Sequence, residues 1–430
     1  MIFKRMREQI LDKAIRGQLV PQLQEEGVVD QIGEAPTEVP FEIPSSWRWV
    51  TLVKLTKEMA DGPFGSNLKK EHYTDNKEVR IIQLSNIGEN GWRNENLKYT
   101  TYKHADTISR SKVNAGDIVI AKMMPAGRAV IVPDLDNGYI LSSDAVKAVV
   151  NSDICINTYL NYAINSTIFK DQVYSSVQGS TRIRTSLTKL KSYLVPVPPL
   201  KEQHRIVDKI ESLFCEIDRA EKAYEELQSL ANVLRGQILQ KAIQGKLVPQ
   251  LTEDGVVDPI GKAPEEVPFE IPNSWKWVKF EHTCNCLDSM RVPIKQKERE
   301  NLNKQYPYYG ATGVIDYVDK YIFDGSFLLI GEDGANLLSK SKDNAFIATG
   351  KFWVNNHAHI FDSNKVSELK YLAIVINAMN LNRYVTGSAQ PKLTQKNLFS
   401  IPVPLPPLAE QKRIVAKVET LLEQIDLMTK

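Results

Sequence analysis

The chain contains two stretches of sequence that each occur twice. Residues 10–50 align without a gap with residues 238–278 at an offset of 228, and 31 of the 41 positions are identical. Residues 196–218 align with residues 404–426 at an offset of 208, and 14 of the 23 positions are identical. Self-similarity on this scale indicates that one structural unit is present twice.

Two divergent segments lie between the repeated stretches. The first variable segment is residues 45–198, and the second variable segment, which is shorter, is residues 273–406. The difference in length accounts for the fall in the offset from 228 to 208. We therefore predict two unlike globular segments, each held by a copy of the same frame.

The frame carries the strongest periodicity in the chain, from about residue 202 to residue 246. Its apolar residues lie 4 and 3 positions apart, as the a and d positions of a coiled coil do. They are Ile206, Ile210, Leu213, Ile217, Ala220, Tyr224, Leu227, Ala231, Leu234 and Ile238. A solvated helix with a core stripe is the alternative, but its apolar period would drift toward 3.6. The pattern favours one coiled-coil helix of roughly 65 Å.

A partner for this helix is present in the same chain. Residues 410–430 followed by residues 1–18 repeat most of the central helix, so the repeat is circularly permuted. The matching apolar residues are Ile414, Val418, Leu421, Ile425 and Met428, then Phe3, Met6 and Ile10. We expect the chain ends to lie close together. Two equivalent units joined in this way predict a pseudo-twofold axis and antiparallel long helices, with the variable segments at opposite ends.

The predicted fold class is α+β, with two globular strand-rich domains separated by a pair of long antiparallel coiled-coil helices. The predicted boundaries are 1–23 for the N-terminal part of the second helical frame, 24–198 for the first domain, 199–250 for the central helix, 251–406 for the second domain and 407–430 for the C-terminal helix that pairs with the central one.

Alternating apolar residues and turn signals predict several elements within the variable segments. The predicted strands are Val79–Leu84, Asp117–Met123, Ala145–Val150, Phe327–Ile330 and His359–Phe361. The predicted helices are Tyr159–Tyr174 and Leu369–Leu381.

The composition limits what the chain can do. Its 430 residues, 42% hydrophobic and 25% charged, suffice for two or more ordinary domains. Lysine and arginine total 54 against 52 aspartate and glutamate residues, so any nucleic-acid site has to be local. The four cysteines are too few for a disulfide framework. Without an apolar run of membrane-spanning length or a signal-like start, we expect a cytoplasmic protein with no membrane partner.

Two acid-free basic stretches lie near the ends of the variable segments at equivalent places. Residues 178–192 contain four basic residues and residues 382–396 contain three. The basic residues are Arg182, Arg184, Lys189 and Lys191, then Arg383, Lys392 and Lys396. A lone basic stretch is more often a solvated surface, but its repetition in a nearly neutral chain favours contact with DNA phosphates.

Signatures of enzymes are weak in this sequence. It has no phosphate-binding glycine loop, HExxH motif or GxSxG motif. His282, Cys284 and Cys286 lack a second cysteine pair that would complete a zinc site. His357 and His359 have the spacing of one strand face, which favours hydrogen bonding over metal binding. We therefore expect no catalytic residues and no metal.

Several motifs together resemble one known family, the DNA specificity subunit of type I restriction-modification systems. Each variable segment ends in the motif PxPPLxEQxxIVxxI, which leads into the long helix, at residues 196–210 and, with Val418 in the last position, at residues 404–418. Further family-like motifs are DGPFGSNL (61–68), QLSNI (83–87), GDIVIAKM (116–123), GEDGA (331–335), NNHAHIF (355–361) and GSAQPKL (387–393). The resemblance covers nearly the whole chain.

The resemblance implies a subunit without catalytic activity whose two target recognition domains each bind one half of a split, asymmetric target in double-stranded DNA. Its implied partners are two methyltransferase subunits, which hold S-adenosylmethionine and methylate adenine, and motor-nuclease subunits, which add restriction. No cofactor is expected on this chain itself.

Candidate site residues follow from these motifs and from the basic stretches. The expected DNA contacts are Gln83, Ser85, Asn86, Lys122, Ser180, Thr181, Arg182, Arg184, Asn355, Asn356, His357, Ser388, Gln390 and Lys392. The expected methyltransferase contacts are Glu202, Gln203 and Arg205 with Glu410, Gln411 and Arg413, although helix capping would equally explain the two glutamates. Two other functions stay open at this point: a self-sufficient DNA-modifying enzyme, and a structural coiled-coil adaptor.

Overall fold

The computed structural model describes residues 2–123, 125–175, 183–300, 302–387 and 389–429. The chain forms two compact units, residues 1–222 and residues 223–430, and each is described by itself. One helix of 44 residues, Leu200–Ile243, contributes to both units.

The first unit contains the N-terminal helix and the first variable segment. Its helices are α1 (Ile2–Ile15), α2 (Tyr102–Thr107), α3 (Asn157–Asn165), α4 (Thr167–Ser175), α5 (Leu187–Ser192) and the first part of α6 (Leu200–Ile243). Its strands are β1 (Arg48–Thr51), β2 (Thr56–Asp61), β3 (Tyr73–Thr74), β4 (Val79–Ile82), β5 (Ile87–Gly88), β6 (Gly91–Trp92), β7 (Tyr99–Thr100), β8 (Lys112–Val113), β9 (Ile118–Ala121), β10 (Ala129–Ile131), β11 (Tyr139–Leu141), β12 (Ala145–Val150) and β13 (Leu194–Val197).

Two sheets form the body of this unit. One has the strand order β10-β9-β12-β2 and the other the order β3-β7-β4-β11-β8. Strands β4 and β11 run parallel, and the other neighbours in these sheets are antiparallel. The apolar residues of β9 alternate between two cores: Ile118 and Ile120 pack with α3 and α4, whereas Val119 packs with β11.

The second unit contains the second variable segment on a different sheet. Its helices are the remainder of α6, α7 (Gln296–Arg299), α8 (Asn336–Ser339), α9 (Leu369–Ala378), α10 (Gln395–Phe399) and α11 (Leu408–Thr429). Its strands are β14 (Lys276–Lys279), β15 (Cys284–Cys286), β16 (Tyr306–Gly310), β17 (Gly313–Val318), β18 (Phe323–Gly331), β19 (Ala345–Val354), β20 (Ala358–Ser363) and β21 (Pro402–Leu405). The main sheet has the order β15-β20-β18-β19-β16-β17, and buried residues of α9 pack on it.

The repeated frame has the same local structure in both units. The first and last strands of each variable segment pair antiparallel, with Trp49 opposite Pro196 and Trp277 opposite Pro404. Each pair brings the end of the segment to the start of a long helix. The frame therefore closes each variable segment with its own two-stranded sheet.

The long helices pair antiparallel inside each unit, as the apolar pattern predicts. In the first unit, Arg7 contacts Asp218, and Arg205 contacts the later residue Pro21. In the second unit, Tyr224 contacts Thr429, and Arg235 contacts the earlier residue Asp426. Residue numbers rise along one segment as they fall along the other, although Pro21 lies beyond the end of α1, so the antiparallel prediction is confirmed within each unit.

The apolar stripe of α6 is buried at some positions and exposed at others, and Ile217 near its middle is among the buried residues. Ile206 and Ile210 pack in the first unit, and Ala231 and Ile238 pack in the second. Tyr224, Leu227 and Leu234 are exposed although they follow the same spacing. Periodicity places side chains on one face, but a partner helix has to be present to cover them.

Most predicted elements are present, with one correction. The strands β4, β9, β12, β18 and β20 and the helix α9 lie where they were expected. The single predicted helix at 159–174 is instead two helices, α3 and α4. Ser166 separates them because its backbone is extended and its hydroxyl accepts a hydrogen bond from the backbone N–H of Phe169. Among the described helices, none combines the length and apolarity needed to cross a membrane.

Candidate nucleic-acid interface

His359 lies at the centre of a hydrogen-bonded cluster in the second variable segment. It lies on β20 and is 1% exposed. Its Nδ1 lies 2.6 Å from Oδ2 of Asp288 and its Nε2 lies 2.8 Å from the carbonyl oxygen of Leu393. Each of the two ring nitrogens thus has an oxygen partner. His359 therefore fastens the loop that ends at Leu393 to the sheet.

Charged groups extend this network toward the surface. Arg291 donates to Oε2 of Glu332 over 2.8 Å, and Lys392 lies 3.2 Å from the other carboxylate oxygen. Burial opposes ionisation of Asp288, but the hydrogen bond and charge of His359 hold the pKa of its carboxyl below the ordinary value. The pKa of Glu332 is likewise lowered by Arg291 against the effect of burial.

Backbone hydrogen bonds place three of the family-like motifs side by side. Glu332 donates to the carbonyl of His357 over 2.8 Å and accepts from Leu393 over 2.7 Å. The GEDGA motif thus lies between the NNHAHIF and GSAQPKL motifs. Residues that are about 30 to 60 positions apart in the chain share one surface.

The predicted DNA contacts on that surface differ in their exposure to solvent. His357 is exposed, and its Nδ1 lies 2.8 Å from the carboxylate of Asp333. Asn356, Gln390 and Lys392 are exposed as well. Asn355 is buried, and its side-chain oxygen accepts a hydrogen bond from the backbone N–H of His357. The side chain of Asn355 therefore shapes the turn that leads to His357.

A second cluster of charges forms in the first variable segment. Lys122 pairs with Asp61 at 2.6 Å, and Arg184 lies 3.5 Å from Asp144. The backbone carbonyl of Lys122 accepts from Thr185, which brings the basic stretch against the end of β9. These residues line an open cavity of about 700 Å³. Two of the predicted DNA contacts, Lys122 and Arg184, are therefore neighbours.

The QLSNI motif contributes a structural turn. Asn86 is fully buried, accepts from the backbone N–H of Gln83 over 2.9 Å and donates to the carbonyl of Glu95 over 2.7 Å. Gln83 and Ser85 are half-buried. Four further predicted contacts lie outside the described residues: Ser180, Thr181, Arg182 and Ser388.

Both clusters have the chemistry of a DNA-binding surface. In each, basic side chains lie on loops at strand ends and carry carboxylate neighbours. Lysine and arginine bind phosphates. Carboxylates accept hydrogen bonds from base edges, and amides both accept and donate them. Within the described part of the chain, no group of three or more histidine, cysteine, aspartate or glutamate side chains is placed to hold a metal ion.

Comparison with known proteins agrees with this chemistry. The sequence profile of the type I restriction modification DNA specificity domain matches residues 57–229 and residues 272–430. The chain belongs to this family. A putative type I restriction enzyme specificity subunit of Haemophilus influenzae is 36% identical over 148 residues, which are 34% of this chain and 37% of that protein. The EcoAI specificity subunit of Escherichia coli is 23% identical over 535 residues, covering 98% of this chain and 89% of that protein.

Solved structures share the fold of this specificity-domain protein. A chain from a type I restriction-modification system matches with a TM-score of 0.68 at 20% identity, covering 91% of this chain and 93% of that one. The specificity subunit from Thermoanaerobacter tengcongensis matches with a TM-score of 0.55 at 19% identity and the same coverage.

The residues predicted to bind methyltransferases are largely engaged within the specificity-domain chain. Glu202 and Gln203 are buried at the start of α6, and Glu410 and Gln411 are buried at the start of α11. Gln203 accepts from the backbone N–H of Ile156, and Gln411 accepts from that of Glu368. These glutamines attach the helix to the variable segment.

The remaining predicted contacts of the frame also have intramolecular partners. Nε of Arg205 donates to Glu26 over 2.8 Å, and Arg413 forms an ion pair with Asp254. The equivalent pairs hold equivalent loops in the two copies. These groups stabilise the frame. Their role in methyltransferase docking stays a prediction, and their intramolecular contacts do not favour it.

Sequence reasoning missed two residues of the cluster in the first variable segment. Arg110 and Phe64 line the same cavity as Lys122 and Arg184. Phe64 lies within the DGPFGSNL motif, so that signal was present in the sequence. Arg110 belongs to a short SRSK stretch that carries no distinctive spacing.

Proposed function

We propose that this chain is the non-catalytic subunit that gives a type I restriction-modification complex its DNA sequence specificity. Each variable segment binds one half of a bipartite, asymmetric target in double-stranded DNA. The observation that carries this proposal is one frame, repeated with the same contacts, that holds two segments with different sheets and different surface loops. Different loops on the same frame suit two unlike half-sites.

Exchange of one segment tests this proposal. Replacing residues 45–198 with the corresponding segment of another family member should change one half of the target and leave the other half unchanged. The target is found by mapping methylated adenines in cells that express the complex. A change in both halves, or in neither, contradicts the modular assignment. The isolated chain, incubated with S-adenosylmethionine and target DNA, serves as the control and should not methylate it.

The proposal assigns methylation to partner subunits that dock on the helices. If the same kind of methyltransferase subunit binds both copies of the frame, each copy has to present the same docking surface. Ile2 and Leu230 occupy equivalent positions in the repeat and are 67% and 66% exposed, and their neighbours Met6 and Leu234 are 42% and 45% exposed. Exposed apolar pairs one helical turn apart are typical of helix docking sites. Each pair therefore serves one methyltransferase subunit, which would also hold S-adenosylmethionine.

Single charge substitutions test the docking sites. Met6→Glu and Leu234→Glu each place a carboxylate in one apolar pair. Native mass spectrometry of the complex should show one bound methyltransferase for either variant and none for the double variant. Lys262→Glu, on an exposed loop, is the control and should keep the wild-type composition. Wild-type composition of the double variant would contradict this placement.

A further inference from the structure

Phe64 is the most exposed large apolar side chain among the described residues, at 83%. Such exposure of a phenylalanine costs free energy in water unless something covers it. It lies on the loop that follows β2, and it faces the cavity lined by Arg110, Lys122 and Arg184. The same cavity is also lined by Asp61 and Asp144, so an exposed aromatic ring and a group of charged side chains share one surface.

The loop that carries Phe64 is fixed on both sides. The backbone N–H of Gly62 donates to Ala145 over 2.9 Å, and a side chain at Gly62 would meet the carbonyl oxygen of Ser142 at 1.8 Å. Pro63 is buried. The backbone N–H of Asn67 closes the turn by donating to the carbonyl of Phe64 over 2.8 Å. The ring therefore projects from a rigid support and not from a loose loop.

The charges around the ring indicate what covers it. Lys122 and Arg184 each have a carboxylate neighbour, whereas Arg110 makes no ion pair with any described residue. An exposed guanidinium and an exposed aromatic ring that line one cavity suit nucleic acid, since cations bind phosphates while apolar rings contact bases.

We propose that Phe64 contacts a base in the half-site bound by the first variable segment and helps to determine its sequence. This inference rests on the proposed function. The ring either packs on the methyl group of a thymine in the major groove or fills an unstacked base step. Both are apolar contacts with a base, and neither neutralises a phosphate.

Binding of the assembled complex to DNA tests this role. The probes are a duplex carrying the mapped target and an unrelated duplex of equal length, each titrated over a range of salt concentrations. Phe64→Ala should weaken binding to the target about tenfold and leave binding to the unrelated duplex unchanged. Its salt dependence should stay that of the wild type, whereas Arg110→Ala should lower the log–log slope by about 0.9. Leu135→Ala, which truncates another exposed apolar residue outside the cavity, is the matched control.

Modified duplexes distinguish the two kinds of contact. If a thymine methyl is bound, replacing that thymine by deoxyuridine weakens the wild type and leaves Phe64→Ala unaffected. If a base step is filled, 2-aminopurine at that step becomes more fluorescent with the wild type only. Phe64→Leu should retain most of the affinity in either case.

Three results would overturn the assignment of Phe64. The first is an unchanged affinity of Phe64→Ala for the target, and the second is an equal loss of affinity for both duplexes. The third is loss of methyltransferase from the complex, which would make Phe64 a protein contact. A wild-type complex that cannot distinguish the target from unrelated DNA refutes the proposed function together with this role. A selective wild type with an equally selective Phe64→Ala refutes the role of Phe64 alone.

Discussion

The indole nitrogen of Trp47 donates a hydrogen bond to Oε2 of Glu202 over 3.0 Å, although 155 residues separate the two in the chain. Trp275 makes the equivalent bond to Glu410 over 2.9 Å. Both tryptophans and both carboxylates are buried. Each copy of the frame thus fixes its first strand to the start of its long helix through one buried carboxylate.

Removal of the indole donor should weaken the unit that contains it. Trp47→Phe keeps an aromatic ring but leaves the Glu202 carboxylate without its donor, at a cost of about 1–3 kcal/mol. Hydrogen–deuterium exchange should show faster exchange in α1 and β1. Trp275→Phe is the matched variant and should affect the second unit only. If hydrogen–deuterium exchange is equally slow in Trp47→Phe and in the wild type, the hydrogen bond between Trp47 and Glu202 contributes little to stability.

The same carboxylate should make the first unit less stable as the pH rises. Burial raises the pKa of Glu202 above its ordinary 4.5, against the opposing effect of the Trp47 hydrogen bond. The folded state then holds the proton more tightly than the unfolded state, so this contribution is fully present below pH 4.5 and is lost as the pH rises through the folded-state pKa.

Glu202→Gln tests this sign because the amide oxygen still accepts from Trp47 and carries no charge. The free energy of unfolding of the variant, measured in urea from pH 4 to pH 7, should fall less with pH than that of the wild type. Glu202→Ala, which removes the acceptor, should be less stable at every pH. A steeper decline in Glu202→Gln contradicts the argument.

His359 should matter for only one half of the target. His359→Gln cannot donate to both Asp288 and Leu393, so the loop that ends at Leu393 should detach from the sheet. We expect relaxed recognition in the half-site bound by the second variable segment and unchanged recognition in the other, as methylated adenines in the genome would show. His357→Gln, on the surface, is the comparison and should keep the loop in place. Relaxation of both halves would mean a general loss of structure.

Lysine and arginine in the two clusters should set the salt dependence of binding. Lys392→Ala and Arg184→Ala each remove one predicted phosphate contact and should lower the slope of log affinity against log salt concentration by about 0.9. Lys262→Ala, on an exposed loop outside both clusters, should leave the slope unchanged. Fluorescence anisotropy with the assembled complex measures all three. Wild-type slopes for Lys392→Ala and Arg184→Ala would remove them from the interface.

Local patterns in the sequence were enough to predict much of the fold. The 3- and 4-residue spacing located α6, because this period follows directly from helix geometry. A short apolar run near turn signals located β12. The break at Ser166 was missed because the apolar spacing continues across it. The exposure of Tyr224, Leu227 and Leu234 was not predicted. The spacing of apolar residues shows that they share one face of a helix, but it does not show whether another element covers that face.

The candidate site was predictable only in part. Basic residues without nearby acids in the sequence pointed to Arg184 and Lys392, and both lie in the clusters. The structure then supplied their carboxylate neighbours, Asp144 and Glu332, which are 40 and 60 positions away. Glu202 and Glu410 were expected at a docking surface, but the structure places them inside the frame, bonded to tryptophans that no local pattern links to them.

The sequence by itself determined that one frame occurs twice, that long antiparallel helices join it and that two unlike segments are inserted in it, because repeats and periodicity are properties of neighbours along the chain. The tertiary structure decided which side chains meet. His359 with Leu393 and Trp47 with Glu202 are brought together by sheet pairing and loop packing over long separations, and such contacts depend on the folded backbone as a whole.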